Sequence, residues 1–519
     1  MSPATSNREL STESVTLQTP LGSDAFSLQG FSYREELGRP FEMVLELESS
    51  TLDIDFTKLL GQSVTVTVTL PDGSKRPFNG LVSRFQRIGT VAAASRYRLT
   101  AVPWLLLLDK TSNSQIFQSM TSREILSQVF NDAGFSDFSL NGINYVRTWD
   151  YCVQYRETLF AFASRLIENV GTYYFFEHAS GSHTLALCDS FSNHSSFPGN
   201  STIPYAASGT ASLVAEEIYQ WNLDQSVQPG SYAVKDFNFT NPSSALQSTE
   251  TVPQQYANGS LEMFDYPGGF QVQSDGDNYA TIRIDETNCQ QTQYHGKAYC
   301  WGLSAGYSFT LSDFPVRAEN QTYLTTRMRL EMKLADATPG SRSDASDRYE
   351  YDCEFSAIPL TTQYRSTSST KKPLIHGVQT AVVVGPSGQN PTTPYTDEYG
   401  RVKVQFHWDR VGQNNENSSC WLRVSQISAG NQWGSLFTPR IGNEVVVAFE
   451  EGDPNRPMIV GCVYNASQMP PLSLPDNATH SIIQDDGGNY ISLDPTSGAQ
   501  LVTIYSPQDD TLLKIGNAS

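Results

Sequence analysis

The feature that most constrains the fold is a strict alternation of apolar and polar side chains in several short segments. In Val64–Leu70, valine or leucine alternates with threonine at every position. The same period of two runs through Phe41–Leu47, Arg327–Leu334 and Tyr349–Phe355. Because successive side chains of a strand point to opposite faces, each segment is predicted to be a half-buried β-strand. Several such strands close together must form a sandwich or a barrel, so the sequence predicts a mainly β protein with minor α content.

Two helices are expected between the strands. Thr121 and Glu124 have the spacing of a capping box, and Gly134 is placed to end the helix that follows them. A second apolar stripe at helical spacing covers Arg156–Val170. Both stripes are interpreted as faces that pack on the core. Pro198–Gly276 is polar and rich in turn residues, and its pattern is the least informative of the chain.

Charge and composition limit the function. The chain has 519 residues, with 34 Lys and Arg against 54 Asp and Glu, a formal net charge of −20. Nucleic-acid binding needs a basic stripe, and none occurs, so no nucleic-acid partner is expected. The densest apolar run, Trp104–Leu108, is far shorter than the roughly 18 residues of a spanning helix, and no stable membrane insertion is expected. Met1–Leu10 lacks the apolar core of a Sec signal.

The last third of the chain divides at two connectors. Tyr364–Lys372 is rich in Ser and Thr and is interpreted as a linker, and Pro470, Pro471 and Pro475 stiffen a second one. Five short strands between them match an OB-fold, and they are expected near Gln379–Val384, Arg401–Trp408, Cys420–Gln426, Glu444–Phe449 and Met458–Tyr464. Three turn-punctuated runs follow, at Asn489–Leu493, Leu501–Ser506 and Thr511–Ile515. They suggest the start of a solenoid whose faces one chain cannot bury, so a partner is implied.

A search for catalytic chemistry finds no constellation. The sequence has no phosphate-binding loop motif, no helical His pair for zinc and no G-x-S-x-G elbow. No catalytic, cofactor-binding or metal-binding residue is therefore predicted, and the chain is not expected to be an enzyme. His178 and His183 flank a predicted hairpin turn and are interpreted as exposed turn residues, with a weak metal site as the alternative. Glu450–Pro454 is interpreted as a solvated turn, with a contact surface or weak cation site as the alternative.

The cysteines are interpreted mostly as buried, inert thiols. They are Cys152, Cys188, Cys289, Cys300, Cys353, Cys420 and Cys462, without any C-x-x-C pair. Cys289 and Cys300 have the spacing to bridge a hairpin, but a chain without a Sec signal is expected to keep them reduced.

Nine segments in order along the chain resemble the VgrG family, the spike proteins of type VI secretion systems. In the first part of the chain the similar segments are Phe31–Met43, Leu60–Val66, Tyr97–Asp109 and Asp150–Gly171. The most specific similarity lies in the expected OB unit, at Asp397–Asp409, Trp421–Ser425, Ala429–Trp433, Pro439–Val445 and Gly452–Pro457. Together these segments cover most of Leu10–Tyr464.

The resemblance implies a phage-hub-like base at residues 1–372, with two β-barrel subdomains at about 10–110 and 172–360 and inserted helices. An OB-fold neck at 373–465, a linker at 466–480 and the beginning of an intertwined trimeric β-helix at 481–519 would follow. The implied assembly is a homotrimer that caps the Hcp tube protein, carries a PAAR-type tip protein with effector and adaptor proteins, and punctures the envelope of a neighbouring cell. Such a protein is cytoplasmic before firing and is then secreted by the type VI system. No cofactor is implied.

Two alternatives stay open. A tail hub or spike of a contractile phage or extracellular injection system has the same fold, and a spike with a hydrolase hidden in Pro198–Gly276 is the other. The short linker leaves no room for the lysozyme domain of the homologous phage spike, and an enzyme domain of the "evolved" family members is not expected either. Arg401 and Lys403 are either ordinary outward-facing strand residues or pair with acidic residues of a neighbouring chain.

Overall fold

The chain forms two units. The computed structural model describes residues 9–70, 73–91, 94–197, 201–206, 216–335 and 348–516. The first unit comprises Met1–Ser112, Met120–Thr148 and Thr158–Lys372, and the second comprises Asn113–Ser119, Trp149–Glu157 and Pro373–Ser519. The turn expected at Pro71 and Asp72 and parts of Pro198–Gly276 lie outside the described residues. The domain boundaries expected from the sequence stay a prediction.

Thirty-two strands and four α-helices make up the regular structure of the described residues. The strands as far as residue 204 are β1 (Glu9–Ser11), β2 (Val15–Gln18), β3 (Ser27–Glu36), β4 (Arg39–Ser49), β5 (Ser63–Thr69), β6 (Lys75–Val91), β7 (Ala94–Val102), β8 (Ser112–Thr121), β9 (Phe138–Gly142), β10 (Thr148–Thr158), β11 (Tyr173–Ala179), β12 (Ser182–Cys188) and β13 (Thr202–Pro204). Those up to residue 359 are β14 (Glu217–Gln225), β15 (Ser231–Lys235), β16 (Gln247–Thr251), β17 (Glu262–Asp265), β18 (Thr292–Tyr299), β19 (Ser308–Ser312), β20 (Thr322–Leu334) and β21 (Arg348–Pro359).

The remaining strands belong to the second unit. They are β22 (Gln379–Val384), β23 (Lys403–Phe406), β24 (Arg423–Val424), β25 (Ala429–Gly430), β26 (Trp433–Gly434), β27 (Glu444–Phe449), β28 (Pro457–Val463), β29 (Ser481–Gln484), β30 (Tyr490–Asp494), β31 (Leu501–Ser506) and β32 (Thr511–Gly516). The helices are α1 (Trp104–Leu107), α2 (Ser122–Asp132), α3 (Leu159–Asn169) and α4 (Gln273–Asn288). No helix in the described ranges combines the length and the apolar content that crossing a bilayer requires.

One sheet of thirteen strands dominates the described part of the first unit. Its main path runs β14-β18-β21-β20-β3-β4-β7-β6-β5-β2, with antiparallel pairing throughout. The strands expected in two separate barrels are joined where β3 pairs with β20. The alternation read from the sequence is confirmed in β20, because Met328, Leu330 and Met332 are each 1% exposed while Arg327 and Arg329 are exposed.

Both expected helices form, with one boundary corrected. Thr121 accepts a hydrogen bond from the Glu124 backbone N–H, and Glu124 accepts one from the Thr121 backbone, so the capping box of α2 is present. The second helix, α3, begins at Leu159 rather than near Arg156, because Arg156 still belongs to β10 and Thr158 caps the helix.

A third long helix, α4, was missed. It starts inside Pro198–Gly276 and lies beside a small sheet with the order β16-β15-β17. Tyr232, Val234, Leu246, Phe270, Ala280 and Ile284 form the core between them. The first turn of α4 contains Gln273, Ser274, Asp275 and Gly276, and this composition hid the helix. We call the sheet β15–β17 and helix α4 the small lobe.

The second unit has a five-stranded sheet in the order β23-β22-β27-β28-β24. All five strands expected for the OB-fold are present, although β23 and β24 are shorter than expected. Ala381, Val404, Val445, Val447 and Ile459 are completely buried in its core. Tyr155 from β10 packs edge-on against Trp408 and accepts a hydrogen bond from Gln379, which attaches β10 to this sheet.

Candidate assembly surface

One face of the β29–β32 meander is an exposed apolar surface on a regular element. In each register pairing, Ile483 is opposite Ile491, Ile491 opposite Ile504, and Ile504 opposite Leu513. These four side chains form a row across four strands and are 42–59% exposed. Because residues two apart share a face, Leu493, Val502 and Ile515 form a second row beside the first. We call these seven residues the aliphatic face.

Short turns set this register. Asp485 accepts hydrogen bonds from the backbone N–H and the side chain of Asn489, each at 2.8 Å, and Gly488 takes a φ of +87°. These bonds favour the charged carboxylate and lower the pKa of Asp485. A one-residue slip would move the aliphatic side chains to the other face. The turn therefore decides which side of the meander is apolar.

The opposite face of the meander is mixed. Tyr490 and Tyr505 pair across β30 and β31 with ring centroids 5.1 Å apart, and Leu512 lies opposite Tyr505. Ser492, Thr503 and Lys514 share this face. Only the aliphatic face thus has the uniform composition of a protein core.

The OB unit presents further large apolar side chains to solvent. Ile427 is 90% exposed, Leu436 74% and Trp433 69%, and all three lie on the loop that carries β25 and β26. Gly430 lets the Trp433 ring pack closely on the backbone, since a Cβ at this position would lie 2.2 Å from the ring in its present position. Exposed apolar side chains clustered on one loop are typical of a contact surface.

Arg401 and Lys403 both have partners in their own chain. Arg401 Nε donates to Asp397 at 2.6 Å, and Lys403 Nζ donates to the Glu416 carbonyl at 2.6 Å. The Lys403 ammonium also lies 5.1 Å from the centroid of the Trp421 ring, and burial lowers its pKa. These contacts hold the surface of the OB unit together, and neither residue is the simple outward-facing residue expected from the alternation.

The acidic segment after β27 is a turn, as expected. Glu450 and Glu451 are exposed, and Glu450 lies 3.8 Å from Arg423. Asp453 is 9% exposed and accepts the backbone N–H of Asn455, so only part of the turn is solvated. The described residues contain no group of three or more His, Cys, Asp and Glu arranged to hold a metal ion.

The interpretation of His178 and His183 as exposed turn residues was wrong. His183 is 4% exposed; its Nε2 accepts the Trp104 backbone N–H at 2.9 Å, so its proton lies on Nδ1, which donates to the Asn79 side chain at 2.8 Å. His178 is half-buried, and its Nδ1 accepts the Asn79 backbone N–H at 3.1 Å. Burial lowers the pKa of His178 to about 3 and of His183 to about 4.

A buried hydrogen-bond chain continues from His178. Its Nε2–H donates to the Tyr33 oxygen at 2.8 Å, and the Tyr33 hydroxyl donates to Glu35 at 2.9 Å. Glu35 also accepts from the Ser304 hydroxyl and the Ala305 backbone, and burial raises its pKa. Each of these groups has a hydrogen-bond partner within the first unit. The buried hydrogen bonds are therefore a structural network rather than an open catalytic site.

The thiols agree with the expectation from the sequence. None of the seven cysteines forms a disulfide; five are buried, Cys420 is half-buried and Cys462 is exposed. Cys289 and Cys300 are not bridged. Burial raises the pKa of Cys188 to about 12, so this thiol is not a nucleophile at neutral pH.

Comparison with known proteins accounts for both units. Residues 34–335 match the model of the phage tail baseplate hub family, and residues 380–464 match the type VI secretion system/phage-baseplate injector OB domain. The type VI secretion system spike protein VgrG1b of Pseudomonas aeruginosa is 40% identical over 511 residues, which are 96% of this chain and 68% of that protein.

Solved structures share the fold. The Escherichia coli c3393 protein, described as a component of the type VI secretion system similar to phage T4 tail proteins gp27 and gp5, has a TM-score of 0.60 at 19% identity and covers 86% of this chain and 99% of its own. The lidded Francisella PdpA-VgrG complex has a TM-score of 0.65 at 10% identity, covering 97% and 78%.

A hub sheet combined with an OB unit defines a spike of the phage-tail type, and the predicted mainly β, phage-hub-like fold is confirmed. More narrowly, the chain belongs to the VgrG family, the spike proteins of type VI secretion systems. Among the alternatives, the type VI spike is therefore the one that the comparisons support.

Proposed function

We propose that this spike chain works as a homotrimer that closes the end of the Hcp tube and carries a PAAR-type tip with effector and adaptor proteins. The observation that carries the proposal is the aliphatic face. A single four-stranded meander has one layer, and among the described residues this layer leaves six of the seven aliphatic side chains exposed, while Val502 is half-buried. Three chains wound around a common axis would enclose all three faces, which gives the residues a core.

The proposal includes the route and the mode of action. Before firing, the chain is cytoplasmic; the contractile machine then drives it into the medium or the target cell. A net charge of −20 per chain disfavours adhesion to anionic membranes, so external force and a rigid shape carry the puncture. The known complex of a VgrG protein with PdpA supports the idea that spikes of this family bind other proteins.

Light scattering coupled to size exclusion, run over a dilution series, tests the trimer. The variant Ile491→Ser with Ile504→Ser removes two central residues of the aliphatic face and should dissociate at least tenfold more readily than the unmodified chain. Ile482→Ser with Leu512→Ser changes the opposite face and is the matched control. A monomeric unmodified chain, or equal loss in both variants, would contradict the proposal.

The chain itself is proposed to be non-enzymatic. The purified protein, assayed against peptidoglycan, lipid and nucleic acid, should give no hydrolysis above buffer. Reproducible turnover that disappears on substitution within Pro198–Gly276 would instead favour a spike with a hidden hydrolase.

A further inference from the structure

The small lobe has an unprotected edge strand. β17 pairs with β15 in parallel, and it is the last strand of this sheet in the described part of the chain. Outside the β15 ladder, Glu262–Asp265 make no backbone hydrogen bond to any described residue. An exposed strand edge is a ready template for pairing with another strand, and folded proteins usually block it with a lysine, a bulge or a covering element.

Large apolar side chains surround this edge on both faces. Leu261 is 55% exposed, Met263 49%, Phe264 60% and Tyr266 52%. The register with β15 puts Met263 beside Tyr232 and Phe264 beside Ala233, so Met263 lies on the α4 side and Phe264 on the other. Helix α4 packs on β15 and β16 and leaves β17 uncovered. A strand added at this edge would therefore have an apolar neighbour on each face of the sheet, Met263 on one and Phe264 on the other.

The charges beside the edge select its occupant. Glu262 and Asp265 are the first and last residues of β17, and Glu250 lies two strands away in the same row as Met263. Lys235 is the one basic residue of these three strands. An added strand thus meets a surface with an excess of carboxylates, and lysine or arginine opposite them gives favourable cross-strand pairs.

A second copy of β17 does not meet this requirement. Antiparallel pairing centred on Met263 and Phe264 puts Glu262 directly opposite Asp265 at both ends. In-register parallel pairing puts each carboxylate beside its own copy. Like charges directly opposite each other destabilise a strand pair. The edge is therefore not self-complementary.

We infer that the free edge of β17 is a docking site for an extended segment of a different protein, which adds a strand with apolar side chains facing Met263 and Phe264 and basic side chains facing Glu262 and Asp265. Main-chain hydrogen bonds supply the affinity, and the alternating side chains supply the specificity. The inference does not use the aliphatic face and adds a binding site in the first unit.

Fluorescence anisotropy with a defined probe tests the site on the full chain. The probe is a fluorescein-labelled six-residue peptide, Thr-Lys-Val-Val-Lys-Thr, whose lysines have the spacing of Glu262 and Asp265 and whose two valines lie opposite Met263 and Phe264. A second peptide has glutamate in place of lysine. The lysine peptide should bind saturably below 1 mM and at least tenfold more tightly than the glutamate peptide. Hydrogen exchange of the Glu262–Asp265 amides should slow when it binds.

Two double variants and one control separate the contribution of the apolar side chains of β17 from that of its carboxylates. Met263→Ser with Phe264→Ser should weaken the lysine peptide at least tenfold. Glu262→Lys with Asp265→Lys should reverse the preference between the peptides. Val227→Ser with Val252→Ser changes two exposed valines next to the small lobe in the chain, 64% and 40% exposed, and should leave binding unchanged. Circular dichroism confirms that every variant is folded.

Three results would overturn the inference. One is no saturable binding below 1 mM, and another is equal binding of both peptides or of the Met263→Ser, Phe264→Ser variant. The third is slow exchange of the Glu262–Asp265 amides in the unmodified chain without peptide, because another copy would then already cover the edge.

Discussion

At the scale of single residues, two neutral histidines hold three strands together. His183 accepts a backbone N–H and donates to Asn79, and the Asn79 side chain donates onward to Ser63 and Thr65 at 2.8 Å. A second proton on His183 would meet the Trp104 N–H, a donor that needs an acceptor. The fold therefore requires both rings to stay neutral, and the lowered pKa values express this requirement.

The first prediction concerns acid stability. Because the folded pKa of His183 is about 4 and the unfolded value is near 6.5, the unfolded chain binds the extra proton first as the pH falls. Above about pH 6.5 the neutral His183 makes its full contribution to the free energy of unfolding. As the pH falls from there to the folded pKa, this contribution is lost at about 1.4 kcal/mol per pH unit. The melting temperature of the His183→Gln variant should therefore fall less between pH 7 and pH 5 than that of the unmodified chain.

His295→Gln is the control, since the His295 side chain is exposed and its Nδ1 pairs with the Ser356 hydroxyl. Its melting temperature should fall between pH 7 and pH 5 by as much as that of the unmodified chain. An identical pH dependence in all three proteins would show that His183 is not held neutral.

The sequence could not predict this network. The five-residue spacing of His178 and His183 correctly indicated a hairpin, and β11 and β12 do pair around Gly181. The partner Asn79 lies about a hundred residues earlier, on β6, and no local pattern links it to the hairpin. Periodicity predicts which face of an element a side chain lies on. It does not predict which distant residues pack against that face in the folded protein.

The second prediction concerns Arg401. The Arg401–Asp397 pair is 2.6 Å long, and its side chains are 22% and 10% exposed. Removing the cation leaves Oδ2 of a largely buried carboxylate without its charged partner, while Oδ1 keeps the backbone N–H groups of Tyr399 and Arg401. Arg401→Gln should lower the stability of the OB unit by about 1–3 kcal/mol in urea unfolding without changing the association state. Arg410→Gln, on an exposed arginine of the same unit, should change neither quantity. Dissociation of Arg401→Gln at unchanged stability would show that the pairing runs between chains.

At the scale of elements, the third prediction is that Ser481–Ser519 is ordered only in the homotrimer. Its deletion should weaken association at least tenfold and leave Leu10–Tyr464 folded, because the aliphatic face is lost while both cores are kept. Light scattering over a dilution series and circular dichroism measure the two effects. Arg440→Gln, which removes only the 2.7 Å ion pair to Asp486, is the control for that contact.

Equal association of the full and shortened chains would show that the base and the OB unit hold the trimer alone. A full-length chain that stays a folded monomer, with this segment resistant to proteolysis, would contradict the assembly proposal.

Elements with a strong pattern were predictable, and elements without one were not. The capping box located α2, and alternation located β5 and β20. Helix α4 escaped because its amphipathic pattern is weak and its first turn is polar. Its helical state depends on packing against β15 and β16, which is tertiary information.

At the scale of the whole molecule, the fourth prediction follows from the net charge. Three chains of −20 each repel one another, and salt screens this repulsion. Raising sodium chloride from 50 to 500 mM should therefore tighten the trimer in sedimentation equilibrium. Weaker association at high salt would mean that ion pairs between chains outweigh the repulsion.

The order of strands in the large sheet could not be predicted from the sequence. Alternation identified β4, β5, β20 and β21 one by one, but it carried no information on pairing partners. Two barrels were expected from the family resemblance, and the pairing of β3 with β20, which joins their strands, was not foreseen. Cross-strand neighbours so distant in the chain leave no local signature.

The β3–β20 junction also constrains biosynthesis. Roughly 290 residues separate the two strands, so at about 5–20 residues per second the ribosome needs some 15–60 s to deliver the partner of β3. During that time the nascent chain carries an open edge next to the aromatic residues Phe31 and Tyr33. We expect the yield of soluble protein in a cell to depend on how well this edge is kept from pairing with other nascent chains on the same messenger RNA.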